Sequence, residues 1–344
     1  MKKHVIIATD FWKPEISGVT RAIEDLVSRL EKQGFTVAVI HPKLFTTVPL
    51  FFYPNVKIAL TTKRIVNGIF KQKKPDYIYI ATEGPVGLAV RSYCLARRLS
   101  FITCYQTHIP YYIEHYTGVK SDMVVRMAYR YFKWFHQKSR AVIVTTKSLR
   151  QELAKRGFKK LVVSPLGVDT DFFKRNNTVT LGGDSFKHPV FVYLGRIAKE
   201  KNIEEFLQSD LPGTKLVIGD GPERLLLEEK YKDVRFVGWK KGKDLADMLS
   251  ACDVFVFPSI TETFGLVIIE ALACGIPVAA HKVMGPKDII THGVDGFLGK
   301  DLAVSAAKCL NLSKEACRQK ALLFSAERSF ESFKKILLKH PAQV

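Results

Sequence analysis

Two series of short apolar runs, each three to seven residues long and separated by longer segments of helical period, constrain this chain of 344 residues more than any other feature. Strand-length runs that alternate with helices predict βαβ units around a mostly parallel sheet. The first series places strands at His4–Thr9, Phe35–His41, Tyr77–Ala81, Ser100–Gln106 and Ala141–Thr145, with a helix over Gly18–Gln33. The second places them at Val190–Leu194, Lys215–Ile218, Arg235–Val237, Val254–Pro258 and Pro277–Ala280. The expected fold class is therefore α/β, with two doubly wound, Rossmann-like domains. Residues 1–175 make the first and 189–324 the second, joined by the polar, aperiodic linker 176–188. A last helical segment, Ser325–Leu338, has no strand after it, so periodicity leaves its domain open.

Charge divides the chain unevenly. The total is +20, but residues 1–170 carry 28 basic and 11 acidic side chains, a net of +17, which leaves +3 for the remainder. Such an excess suits an anionic surface, either nucleic acid or membrane headgroups; lysine-rich solvated helix faces are the plainer alternative. RNP, helix-turn-helix and zinc-finger patterns are all missing, so nucleic acid is not the expected partner. The six cysteines form no C-x-x-C pair and stand near no histidine cluster, which argues against zinc or a disulfide framework and fits a reducing, cytoplasmic setting. Asp10 ends the apolar run Val5–Ala8 before a signal-peptide core could form, and no run approaches the ~20 apolar residues of a membrane span. Any membrane contact is expected to be peripheral.

The densest polar cluster follows the strand that ends at Pro258. A turn containing Glu262 leads into a helix near Phe264–Gly265, and Glu270 falls in its second turn. Backbone N–H groups at such a helix start, beside a strand's carboxyl edge, suit a phosphate. The two carboxylates could each grip hydroxyls of a sugar or ribose, or serve as a glycosidase pair, while helix capping is the plain role for Glu262. Gly195-Arg196 and Lys201-Asn202 follow the strand Val190–Leu194, where a basic pair could neutralise a departing diphosphate; a solvated basic turn is the alternative. Gly219-Asp-Gly-Pro follows the next strand as a tight turn.

In the first half, Gly18 in the loop Asp10–Arg21 would let backbone approach a ligand, but the G-x-G-x-x-G dinucleotide spacing is absent. Gln106 and His108 follow another strand, and a lone histidine there is more often structural than catalytic. Arg126, Arg130, Lys133 and Arg140 recur at spacings of four, three and seven among Tyr129, Tyr131, Phe132, Trp134 and Phe135. Such a helix either lies at a lipid interface or buries its aromatics in a core.

With these residues assembled, the chain resembles the retaining glycosyltransferases of family four, which have the GT-B fold of two Rossmann-like domains facing each other across a cleft. Glu262 and Glu270, within Ser259–Val278, carry the most specific part of the resemblance. Gly195-Arg196, Glu200-Lys201-Asn202, Gly219-Asp-Gly-Pro and Pro165-Leu-Gly-Val-Asp169 match the family's other markers in order. Thr263-Phe264-Gly265, Trp134-Phe135-His136 and Gly285-Pro286-x-Asp288 are most similar to the GDP-mannose-dependent α-mannosyltransferase branch and to its relatives, the sulfoquinovosyl-lipid synthases.

The resemblance implies that Arg196 and Lys201 hold the donor diphosphate, Glu270 the ribose, and Glu262 the donor sugar. It places backbone N–H groups of Phe264, Gly265, Leu266 and Val267 at the helix start, the Gly18 loop over the phosphates, Gly219 among the donor-binding residues, and the base near Gly238-Trp239. It implies that the segment 325–344 packs back on the first domain. Gln106 stands where many members have a histidine that contacts the donor sugar, so either the amide serves, or His108 substitutes, or the sugar preference has moved. The implied activity is retaining transfer of a hexose, mannose from GDP-mannose, to a lipid or glycolipid hydroxyl without a cofactor or metal. Arg126, Arg130, Lys133 and Trp134 would meet the anionic membrane surface. A UDP-sugar-dependent glycolipid synthase, a sugar-nucleotide epimerase and a basic nucleic-acid binder are the rival expectations.

Overall fold

The computed structural model describes all residues except 1, 14–17, 51–52, 111–112, 114–121, 180–185 and 344. Residues 180–185 of the expected linker and 14–17 of the loop before Gly18 thus lie outside the described residues. The chain divides into two compact units, one taking residues up to Pro110, the stretch ending at Ser164 and Phe330 onward, the other Pro165–Ser329.

The first unit is built on six strands: β1 (His4–Ala8), β2 (Thr36–Ile40), β5 (Tyr77–Ile80), β6 (Ile102–Tyr105), β7 (Val142–Val144) and β8 (Leu161–Val163). They form one parallel sheet in the order β2-β1-β5-β6-β7-β8. An antiparallel hairpin of Thr46–Leu50 (β3) and Tyr53–Leu60 (β4) stands apart from it. Alternation sorts the core into two layers: Val5, Ile7, Tyr77 and Tyr79 face one side, and Ile6, Ala8, Ile78 and Ile80 the other. The first layer is covered by Ile23 and Leu30 of the helix Gly18–Lys32 and by Phe330, Phe333, Ile336 and Leu337 of the helix Ala326–Leu338. Phe333 meets Tyr79 edge to face, with ring centroids 4.9 Å apart.

The second unit repeats the plan with β9 (Val190–Leu194), β10 (Thr214–Ile218), β11 (Arg235–Phe236), β12 (Val254–Phe257), β13 (Val278–Ala280) and β14 (Gly296–Leu298). Their order is β11-β10-β9-β12-β13-β14, all parallel. Val190, Val192 and Leu194 pack on one face, Phe191 and Tyr193 on the other.

Three strand features differ from the expectation. β8 and β14 extend the sheets, and both are three residues long, too short for a visible period. The hairpin includes Pro49 and Pro54, which mask its strand character. The boundary also moves from residue 175 to Ser164. Residues just after it are tied onto the second unit: Val168 bridges Ser325, the Phe173 carbonyl accepts from Arg318 (2.7 Å), and the Asn176 N–H donates to Ser250 (3.2 Å).

All six cysteines are buried and free, and burial pushes the Cys94, Cys104, Cys274, Cys309 and Cys317 thiols up to about 12. Among the described residues no helix is long and apolar enough to cross a membrane.

Candidate active site

In the second unit the strand order reverses between β9 and β12, the two strands whose carboxyl ends flank the crevice of a doubly wound sheet. The segments Gly195–Asn202 and Pro258–Gly265 leave those two ends, so the sheet order brings together the two motifs that the sequence separates.

Three polar ties lace them. Lys201 Nζ donates to Glu262 Oε2 at 2.8 Å, both side chains about four-fifths buried. The Thr261 hydroxyl donates to the Glu200 carbonyl (3.2 Å), and the Asn202 amide to the Pro258 carbonyl (3.3 Å). Glu262 also accepts from the Thr263 N–H through Oε1 (3.3 Å). Arg196 is exposed, its carbonyl accepting from the Tyr193 hydroxyl at 2.7 Å. Burial holds that phenol well above its ordinary range, so it stays a hydrogen donor at neutral pH.

The helix Leu266–Ala273 starts on Gly265, at φ +94° and with no side chain to cap it. The first N–H groups of a helix have no intrahelical acceptor, so its start presents donors and a positive dipole end beside Lys201 and Glu262. Glu270 sits buried within this helix. The loop at Gly285 closes under the turn, since a Cβ there would lie 2.9 Å from the Phe264 carbonyl oxygen.

Along the same edge the glycine turns stack without room for side chains. A Cβ on Gly219 would collide with the Gly195 carbonyl, and one on Gly221 with the Ile197 carbonyl. The Gly219 N–H donates to the Gly238 carbonyl (2.9 Å), which brings the β11 end into register. Beside Gly238 lies the Arg224 guanidinium, paired with Asp220 (3.2 Å), and the Trp239 side chain is exposed. Arg196, Lys201, Glu262, Glu270, Gly219, Gly238, Trp239 and Phe264–Val267 thus all belong to one end of one sheet.

The first unit's strand order reverses between β1 and β5, and its edge is filled differently. Asp10, after β1, accepts from the Val86 N–H (2.8 Å), the Gly87 N–H (3.5 Å) and the Thr82 hydroxyl (2.6 Å). Its carboxylate therefore caps the helix Pro85–Ala96. Burial raises the Asp10 pKa against the lowering effect of these bonds, and burial likewise raises that of Glu83. Glu83 is buried against His136 Nε2 (3.2 Å), whose Nδ1 meets the Thr103 hydroxyl (2.9 Å). Sequence reading did not single out Asp10, Thr82, Glu83 or the side chain of His136 as a unit. The signal was Glu83-Gly84-Pro85, a polar residue before a proline at a helix start.

Gln106 donates to the Tyr79 hydroxyl at 3.4 Å. His108 is buried, 3.1 Å from the Tyr129 hydroxyl, and burial lowers it to about 4, which keeps the ring neutral. Gly18 opens the helix Gly18–Lys32. On the helix Asp122–His136, Tyr129, Phe132 and Phe135 are core, while Arg126, Arg130, Lys133 and Trp134 are exposed together with Met123 and Met127. Of the two roles the sequence left open, the core role holds for Tyr129, Phe132 and Phe135, while the basic stripe and its apolar neighbours face outward.

Two family models match the chain: Glycosyltransferase Family 4 over residues 16–172 and Glycosyl transferases group 1 over residues 184–312. The GDP-mannose-dependent alpha-mannosyltransferase of Mycobacterium tuberculosis is 27% identical over 319 residues, 86% of this chain and 83% of that one. The sulfoquinovosyl transferase of Arabidopsis thaliana is 26% identical over 83% of this chain and 60% of its own length. Among solved structures, the sucrose-phosphate synthase of Thermosynechococcus elongatus superposes with a TM-score of 0.79 over 98% of this chain and 99% of that one, at 19% identity.

Proposed function

We propose that this chain, which belongs to the family-four glycosyltransferases of the GT-B fold, transfers mannose from GDP-mannose to a lipid or glycolipid hydroxyl at a membrane surface, with retention at the anomeric carbon and without a metal. The observation that carries this reading is the meeting of Lys201 and Glu262 beside a helix start at the second unit's switch point.

A departing nucleoside diphosphate develops negative charge where Lys201, Arg196 and the N–H groups of Phe264–Val267 stand. Their fixed charges and dipoles stabilise it without reorganisation. Glu262, held by Lys201, has its carboxylate beside that position and would accept from sugar hydroxyls; Glu270, deeper in the same helix, would take those of the ribose. The Lys201–Glu262 bond gives the site its resting geometry: phosphate binding would draw Lys201 toward the anion and leave Glu262 to the sugar.

For the acceptor, the outward face of Asp122–His136 supplies the argument. Arg126, Arg130 and Lys133 would meet anionic headgroups, while Met123, Met127 and Trp134 reach the acyl boundary. Attraction of this kind is worth about 1 kcal/mol per basic residue near an anionic leaflet. The cytoplasmic face of a membrane is the setting this reading implies. Similar identity to the sulfoquinovosyl transferase and to the alpha-monoglucosyldiacylglycerol synthase of Acholeplasma laidlawii favours a second reading, a glycolipid synthase that moves another sugar, for which a UDP-sugar is the donor to test.

Release of nucleoside diphosphate from GDP-mannose and from UDP-glucose, with and without bilayers of anionic lipid and diacylglycerol, separates the two. Release from GDP-mannose that rises with lipid and survives EDTA is the expected result. Release from UDP-glucose alone moves the assignment to the second reading, and release that is indifferent to lipid removes the membrane acceptor.

A further inference from the structure

We propose that Glu205 and His281 are positioning residues that fix the Lys201–Glu262 geometry through Asn202. The importance of that geometry for turnover rests on the reading above; the positioning itself does not.

Asn202 is the joint between the two motifs. It is a non-glycine residue at φ +53°, and it closes the short 3-10 turn Lys199–Lys201 and opens the helix Ile203–Gln208. Asparagine is among the non-glycine residues that enter the left-handed region most readily, and its side chain adds contacts that hold the turn. The Asn202 amide nitrogen supplies two: it donates to Glu205 Oε2 at 2.6 Å and to the Pro258 carbonyl at 3.3 Å. The second bond pins the Lys201 turn to the segment that carries Glu262.

An asparagine amide can present either its oxygen or its nitrogen to a neighbour, and only the nitrogen can serve the Pro258 carbonyl. Glu205 makes the choice, because a carboxylate accepts and cannot donate. Glu205 is held in turn by His281 Nε2 at 2.9 Å, and His281 Nδ1 faces the Gly299 carbonyl at 3.2 Å. A hydrogen on Nε2 presents a donor to Glu205. His281 directly follows β13, the strand beside β12. A chain of contacts thus runs from Gly299, just after β14, through His281, Glu205 and Asn202, to the carboxyl end of β12.

The test reads lysine geometry without needing a substrate. Acylation by an amine-reactive ester, followed by mass spectrometry, compares Lys201 with its exposed neighbour Lys199. Glu205→Gln replaces an acceptor-only carboxylate by an amide that can also donate, which lets the Asn202 amide turn over. That variant is expected to raise Lys201 labelling about fivefold with Lys199 unchanged. His281→Ala should do the same, and His281→Gln, which retains a donor toward Glu205, should restore most of the protection. Unchanged Lys201 labelling in folded Glu205→Gln and His281→Ala proteins overturns the positioning role.

Turnover adds the functional arm. With the nucleotide sugar that the wild-type protein uses, Glu205→Gln should lose about tenfold in kcat with KM little changed, and should lose nothing further in a Lys201→Ala background. Additive losses would mark a general structural effect and count against positioning. A Lys201→Ala protein that turns over like wild type, with labelling as predicted, would sink the functional reading and leave the positioning intact.

Discussion

Two helix starts, at corresponding places in the two units, show how one architecture is put to different uses. In the first unit the start of Pro85–Ala96 is filled by the chain's own carboxylate, Asp10, which takes the N–H groups of Val86 and Gly87. In the second the start of Leu266–Ala273 rests on Gly265, which has no side chain, and a cation, Lys201, stands close by on Glu262. A helix N-terminus occupied by a buried carboxylate is a structural joint; one bounded by glycine and lysine suits an exchangeable anion. On the proposed reading the fold alone does not say where the phosphate goes, and the capping residue does.

The charge follows the opposite course. The first half holds the net +17, yet its switch point carries acids, and its outward cations lie on helix faces such as Arg126, Arg130 and Lys133. The second half is close to neutral and places two basic residues, Arg196 and Lys201, at one sheet edge. Net charge points to a surface partner, whereas local placement points to a ligand.

Several changes would sharpen or break this contrast. The largest effect is expected from Gly219→Ala, whose methyl group would run into the Gly195 carbonyl. Clashes with backbone of this kind cost about 3 kcal/mol or more, and denaturant titration should show that loss in the second unit. Replacing Arg126, Arg130 and Lys133 together by Gln should weaken binding to anionic vesicles by about 3 kcal/mol, near a hundredfold, and flatten its salt dependence. Vesicle binding that ignores the triple change would detach the basic face from the membrane.

Asp10→Ala removes a cap and should cost the first unit about 1–2 kcal/mol, with faster amide exchange at Val86 and Gly87. Nucleoside diphosphate binding should stay at the wild-type level, because in this account the ligand anion belongs to the other helix. A loss of that binding in the folded variant would erase the contrast.

His108 gives the smallest effect. Its folded-state value, lowered to about 4, lies below the ordinary 6.5, so the unfolded chain binds the extra proton between those values. Stability is full well above pH 6.5 and falls as pH drops toward 4, by about 0.7 kcal/mol between pH 7 and pH 6. His108→Gln should remove that slope from the first unit's pH profile.

Much of this was legible in the chain itself, unevenly. The second unit's motifs could be read because their residues lie within a few positions of one another on single strand-to-helix turns. The fold's two series were visible for a similar reason, since each central strand carries its own apolar run. What spacing could not supply was the pairing across the sheet. Glu205 and His281 stand 76 residues apart and meet only because of where β13 lies, and Asp10 finds Thr82 only because β1 and β5 are neighbours. β14 begins at Gly296, where a Cβ would strike the Val278 carbonyl; a strand that opens on an obligatory glycine shows no period.

The measurement that bears most directly on the central claim is donor turnover by Lys201→Ala, with the fold checked by near-ultraviolet circular dichroism. The account predicts an unchanged spectrum and a loss of at least about a hundredfold in kcat, since the variant lacks the cation placed for the departing diphosphate. Turnover within a few fold of wild type, from a protein equally well folded, would contradict it.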